Sequence, residues 1–207
     1  VVGTGEKIGY CHFPLSGVLS VVIRMKNGAG AEVASVGNEG MTGYFSNLGM
    51  THSPHSVVQQ VPGASIRVPA SVIAQAVRRS PLLQQLMQRY YAYSLHFAGQ
   101  TAACNGLHAV QQRACRWLLL THDRSSRGPF LLAQSTLAEM LGVRRQTVSE
   151  VAAGLQRAGI VSYSRGMMTI RDRRRLENGS CECYGVMRSY YERALQPGKL
   201  VPALSGA

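Results

Sequence analysis

The chain has 207 residues, is 45% hydrophobic and 15% charged, and carries 22 Lys and Arg against 10 Asp and Glu, a net charge of +12. That composition fits one large or two small globular domains and excludes a disordered chain. No apolar run approaches the roughly 18 residues of a membrane helix, so no membrane partner is expected. A charge this positive points to a polyanion, nucleic acid first. The surplus is uneven: residues 1–104 hold 7 basic and 3 acidic side chains, residues 105–207 hold 15 and 7. The polyanion site is therefore expected in the second half.

The chain opens on Val rather than Met, which reads as the trimmed end of a longer one, and Val1 to Leu19 reads as turn and strand rather than signal peptide. The five cysteines, Cys11, Cys104, Cys115, Cys181 and Cys183, are odd in number and lack the density of a secreted disulfide framework. Reduced thiols in the cytoplasm fit best. Cys181-Glu182-Cys183 is the one close pair. It lacks the two-residue spacer of a zinc knuckle and has no second pair to complete four ligands, so the sequence assigns no metal and no cofactor.

Residues 1–70 read as short strands and turns. Val18–Ile23, Ala31–Val36, Ser56–Val61 and Ser65–Val68 are β-branched and apolar, with turns at Lys26–Gly30, Gly37–Gly40 and Pro62-Gly63. Strands at this spacing predict a small sandwich, roll or barrel. The period then changes. Ser80-Pro81 is a helix start, with Ser as N-cap and Pro first in the helix. Leu83, Leu86, Tyr90, Tyr93, Phe97 and Cys104 follow at spacings of three and four, with Gln100 at the missing step, and Asn105-Gly106 ends the run. This seam predicts a long helix, and Leu83, Leu86, Tyr90, Tyr93 and Phe97 are the expected dimerisation residues. A second helix is expected from about His108 to His122, then a loop at Ser125–Pro129. The tail after Gln196 reads as loosely ordered.

Residues 134–155 carry the functional signal. Counting from Gln134, Ala138 is fifth, Gly142 ninth and Val148 fifteenth. A helix-turn-helix needs a small residue where its helices touch, a residue tolerating positive φ in the turn, and an apolar wedge between the helices. Leu137, Leu141 and Val151 complete the small core. Arg144, Arg145, Gln146, Ser149 and Glu150 fall on the opposite face, at the helix end that enters a major groove. Arg suits guanine, Gln suits adenine and Glu accepts from cytosine. Ser135 and Thr147 are hydroxyls near helix N-termini, suited to phosphates. Ile160–Ile170 reads as strand, tight turn at Arg165-Gly166, and strand, a wing directly after the recognition helix, with Arg165 at its tip as a further phosphate contact. Arg171–Arg175 adds charge.

These residues resemble the Crp–Fnr superfamily of bacterial transcription regulators. Gly142-Val-Arg-Arg-Gln-Thr-Val148 looks like its recognition-helix motif, Phe13–Gly17 and Gly37–Gly43 look like β-roll signatures of an atypical branch, and Leu176-Glu177 with Cys181–Tyr184 is similar to that branch. The resemblance implies an α+β chain. A cyclic-nucleotide-binding-like β-roll (jelly-roll) sensor over 1–79, lacking its first helix and strand, would precede a dimerisation helix over 80–105. A winged helix-turn-helix over 106–185 and a C-terminal helix or tail over 186–207 would follow. It also implies a homodimer on near-palindromic double-stranded DNA, contact with RNA polymerase, and a small-molecule effector of unknown identity.

The effector pocket implied by the resemblance comprises Gly43, Tyr44, His55, Ser56, Ala98 and Gly99. Cyclic-nucleotide members place a carboxylate and an Arg where this chain has Tyr44 and His55, and Ala98 and Gly99 offer no side chain to a base. Cyclic AMP is therefore not the expected effector. Cys11, Cys104 and Cys115 are too scattered for an iron–sulfur cluster, and His12, His52, His55 and His96 are the conceivable haem ligands. Glu150 stands where many relatives carry a basic residue, which implies a different operator preference. Two alternatives compete: a cupin-like metal enzyme, for which only His52-Ser-Pro-His55 is present with no closely following Glu, and a sensor module acting through a protein partner. Neither accounts for the arginines of the second half, and no catalytic residue is assigned.

Overall fold

The structure, a computed structural model, describes residues 1–125 and 127–195. The tail after Gln196 and Ser126 of the predicted loop lie outside the described residues. In chain order come β1 (Tyr10–Pro14), β2 (Val18–Arg24), β3 (Gly30–Val36), a 3-10 turn at Tyr44–Leu48, β4 (Ser56–Val61) and β5 (Ser65–Pro69). β2 is central in an antiparallel sheet of order β3-β2-β4, and β1 pairs antiparallel with β5. The alternating Val18, Ser20 and Val22 of β2 are buried, as the pleat requires of a strand facing a core. Isolated bridges Val2–Val57, Lys7–His52 and His12–Thr42 close the roll.

β1 falls in the stretch read as turn and strand, although His12 and Pro14 leave it without a β-branched run. α1 (Ala70–Arg79) follows β5 without a polar cap, its N-cap position being Pro69.

α2 (Pro81–Leu107) is 27 residues long, about 40 Å. Ser80 caps it as predicted, its Oγ accepting from Leu83 N–H at 3.2 Å. The predicted apolar stripe turns inward. Tyr90, Tyr93 and Phe97 are at most 5% exposed within a single chain, and Leu83 packs half-buried on the same core. Tyr90 Oη donates to Met41 O at 2.7 Å and accepts from Met41 N–H at 3.0 Å. A Cβ on Gly40 would meet Tyr90 Oη at 2.6 Å and its ring at 2.7 Å, so only glycine lets the roll approach the helix this closely. Tyr93 is covered on its other side by Tyr190 and Tyr191, at ring-centroid distances of 6.4 and 6.1 Å. The expected dimerisation seam is thus corrected: the roll and the C-terminal helix occupy Tyr90, Tyr93 and Phe97. Leu86 is half-buried, and the outward face of α2 carries instead Ala92, Leu95, Gly99, Ala102 and Gly106, with Leu95 76% exposed.

α3 (Val110–Arg124) is the spine of the molecule. Every residue from Arg113 to His122 is buried, as expected of a helix enclosed on all sides. Each buried leucine, such as Leu118 or Leu119, contributes about 2 kcal/mol of apolar burial. Beyond it lie β6 (Phe130–Leu131), α4 (Gln134–Leu141), α5 (Arg145–Arg157), β7 (Val161–Ser164), β8 (Met167–Ile170), α6 (Arg173–Asn178) and α7 (Cys183–Ala194). β6, β8 and β7 form a second three-stranded antiparallel sheet. α7 begins ahead of the expected residue 186 and packs on α2.

Candidate nucleic-acid interface

α4 and α5 meet as the spacing predicts. Ala138 is 5% exposed, and Val148, at 1%, fills the wedge with Leu137, Leu141 and Leu155. Gly142 has φ +63° at the end of α4, its N–H bonding Glu139 O at 3.0 Å, and Val143 N–H bonds Ala138 O at 3.0 Å. A Cβ-bearing residue would be strained there. The turn delivers Arg144 to the N-cap of α5 in extended conformation and Arg145 to its first position.

The DNA-contact candidates lie mostly at the surface. Ser135, Arg144, Arg145, Gln146, Glu150 and Arg165 are exposed, while Thr147 and Ser149 are half-buried. Gln146 Nε2 donates to Glu150 Oε1 at 3.1 Å, and Ser149 Oγ donates to Gln134 Oε1 at 2.8 Å, tying the two helices. Arg165 has φ +50° and Gly166 φ +79°. Two successive left-handed residues make the hairpin turn whose twist matches its strands, and they place a cation at the wing tip. The wing is pinned by Tyr163 Oη, which donates to Leu132 O at 2.9 Å. Among the predicted cationic run, Arg173 turns inward, pairing with Asp123 at 2.8 Å and bonding Tyr184 Oη at 2.5 Å. Arg171 and Arg175 bond Ser162 Oγ and Ala158 O.

The roll lies against this surface. Arg24 forms an ion pair with Glu139, and Gly30 packs on the Glu139 side chain. One cleft of about 590 Å3, lined by Gln59, Gln60, Pro62, Ser135, Arg145 and Gly166 among others, separates the β4–β5 turn from the helix-turn-helix. Another of about 580 Å3 runs between Gly28–Gly30 and Gly142–Arg145.

A family profile described as the Crp-like helix-turn-helix domain matches residues 112–178. The chain has a Crp-like helix-turn-helix domain on the fold of Crp/Fnr-type transcription regulators. Its structure is similar to FixK2 from Bradyrhizobium japonicum, with TM-score 0.75 and 18% identity over 87% of this chain and 92% of that one. It is also similar to TTHB099, a CRP-family transcriptional regulator from Thermus thermophilus, with TM-score 0.67 and 16% identity over 95% and 94%. The c-di-GMP-responsive regulator CLP of Xanthomonas campestris gives TM-score 0.62 and 14% identity over 82% and 88%. No curated protein sequence matches the chain. The α+β architecture of β-roll, long helix and winged Crp-like domain is that of these regulators. Among the described residues no helix is long and apolar enough to cross a membrane.

The expected effector pocket is only partly assembled. Gly43, Tyr44 and His55 line a cavity of about 220 Å3 in the roll, with His12, Thr42, Lys7 and Glu6. Ser56 is turned to Thr4, their hydroxyls 3.0 Å apart, and neither Ala98 nor Gly99 lines the cavity. Burial pushes the His12 and His55 pKa values down, so both imidazoles are neutral near pH 7. Lys7 is the fixed cation among the lining side chains, and Glu6 beside it offsets its charge.

The structure also joins residues that the sequence left apart. Cys104, His108, Cys181 and Cys183 lie together at the junction of α2 and α7. The sequence offered Cys181 and Cys183 no further ligands, because the two stretches are 73 residues apart along the chain.

Proposed function

We propose that this Crp/Fnr-type regulator binds DNA sequence-specifically as a homodimer, with α5 in the major groove. Arg145 and Gln146 read bases, Arg144 and Glu150 flank them, and Ser135, Thr147 and Arg165 hold phosphates. The observation that carries this reading is the exposed Arg144-Arg145-Gln146 edge, raised at the N-terminus of α5 by the left-handed turn at Gly142. The outward face of α2, small at Ala92, Gly99, Ala102 and Gly106, suits close approach of a second copy. Two recognition helices related by a twofold axis demand half-sites about one helical turn apart. Contact with RNA polymerase follows from the same reading.

The effector of this reading is a small molecule held in the roll cavity. The neutral imidazoles and Tyr44 disfavour cyclic AMP. The cavity is also below the roughly 300 Å3 at which drug-sized ligand sites begin.

Selection of bound sequences from a random duplex library, with purified protein and no added ligand, tests the proposal. An enriched palindrome supports it. Enrichment of isolated half-sites overturns the dimer, and no enrichment with or without candidate effectors overturns sequence-specific binding.

A further inference from the structure

Four side chains from distant stretches of sequence converge where the end of α2 abuts the start of α7. Cys104 lies in the last turn of α2, His108 caps its C-terminus, and Cys181 and Cys183 bracket the start of α7. Their three Sγ atoms and one ring nitrogen all lie within 4.8 Å of one another. The Cys104 and Cys181 sulfurs are 3.5 Å apart, and Cys183 Sγ is 3.5 Å from His108 Nδ1. Four ligands held about 2.1–2.3 Å from a central ion stand about 3.4–3.8 Å from each other. Two edges of that tetrahedron are therefore already at length, and the longest needs to close by only about 1 Å.

The surroundings favour a bound cation. The three cysteines are free thiols, each at most 3% exposed. His108 turns Nε2 to Glu182 Oε1 at 3.2 Å, which leaves Nδ1 for the sulfurs. A carboxylate on the far nitrogen is the usual orienting partner of a metal-bound imidazole. Gln100 Nε2 donates to Cys183 Sγ at 3.0 Å, a contact that favours a thiolate.

We propose that Cys104, His108, Cys181 and Cys183 bind one Zn2+ ion in a closed four-ligand site. Binding displaces the three thiol protons and leaves no open coordination position, so the ion is structural. It clasps the end of the long helix to the start of α7, and so fixes the Crp-like domain relative to α2. Glu182 is a positioning residue. Cys115 lies outside the set.

Metal analysis of the reduced full chain, purified with zinc present, is expected to give one Zn2+ per chain. Co2+ added to the stripped wild-type chain is expected to give sulfur-to-cobalt charge transfer and the intense visible bands of a tetrahedral site. Cys115→Ala should keep both signals, Cys181→Ser and His108→Gln should lose them, and Glu182→Gln should weaken Zn2+ binding about 10–100-fold. Folded, reduced wild-type protein that retains no zinc and develops no cobalt bands overturns the proposal. A Cys104–Cys181 disulfide in place of bound metal overturns it as well.

Discussion

The indole N–H of Trp117 in α3 donates to Glu32 Oε1 on β3 at 3.1 Å, joining the spine helix to the roll through a buried carboxyl group. Ser20 Oγ bonds the other oxygen. Burial dominates and pushes the Glu32 pKa up from 4.5 to about 7, against the opposing pull of Ser20, Arg116, Arg124 and Trp117. The sign follows from linkage. Below pH 4.5 the carboxyl is protonated in both states and costs nothing. Between 4.5 and about 7 the unfolded chain ionises first, so stability falls as pH rises. Above that window the cost is complete, on the order of 3 kcal/mol. Glu32→Gln keeps an acceptor for Trp117 and removes the titration. Urea denaturation at about pH 5 and about pH 8 should show the variant gaining stability over wild type only at the higher pH. The comparison isolates Glu32, because His12, His55 and His122, with lowered pKa values, act in both proteins alike. Equal slopes would rule Glu32 out.

A second link between α3 and the roll is ionic. Arg124 Nε donates to Glu39 Oε1 at 2.7 Å, with both side chains 8% exposed, and Nη1 donates to Ser35 Oγ at 3.1 Å. Removing one member of a buried pair strands the other, so Arg124→Ala should cost about 3–5 kcal/mol by denaturant titration. Lysine lacks the fork that reaches both partners and should not restore full stability. The double variant Glu39→Gln with Arg124→Ala should be less destabilised than the two single effects added together.

The sequence disclosed what short-range rules control. The Ser80-Pro81 helix start, the Gly142 turn with Ala138 and Val148, and the Arg165-Gly166 hairpin each need a residue type at a fixed offset, and each folds as read. Periodicity placed Tyr90, Tyr93 and Phe97 on one apolar stripe, but an apolar stripe does not name its partner. Tyr190, Tyr191 and the Met41 backbone cover it, from about 50 to 100 residues away along the chain. The cysteine–histidine cluster was hidden for the same reason. α1 was missed because Pro69 gives a contrary local signal that tertiary packing overrides.

Base reading by α5 has a separable signature. Arg145→Ala should cost about 1–3 kcal/mol on the selected operator and relax preference at one base pair, measured by competition binding. Equal loss on every duplex would reduce Arg145 to a phosphate contact. Glu150→Ala removes the acceptor that holds Gln146 Nε2. It should strengthen binding to random duplex and shift the selected base opposite Gln146.

The two faces of α2 should respond oppositely. Phe97, 2% exposed among Tyr93 and Arg124, is core, and Phe97→Ala should cost about 3–5 kcal/mol of stability. Leu95, 76% exposed, contributes little to the fold of one chain. Leu95→Glu should leave the helical content of the folded chain unchanged by circular dichroism, yield a monomer by sedimentation, and make the thermal midpoint independent of protein concentration. A Leu95→Glu protein that remains dimeric would place the dimer contact elsewhere.

Arg165 at the wing tip should show stability and binding in opposition. A non-glycine residue at φ +50° costs about 1–2 kcal/mol, whereas Asn followed by Gly is the favoured pair for this turn. Arg165→Asn should therefore stabilise the protein by up to about 1 kcal/mol. It should also weaken binding by a similar factor on operator and random duplex, and lower the slope of log affinity against log salt by about 1, as loss of one phosphate contact requires. Titrations at several salt concentrations, run beside thermal melts, measure both effects on the same protein. A variant that gains stability and keeps the wild-type salt slope would remove Arg165 from the DNA contact and leave its strained turn without a binding role.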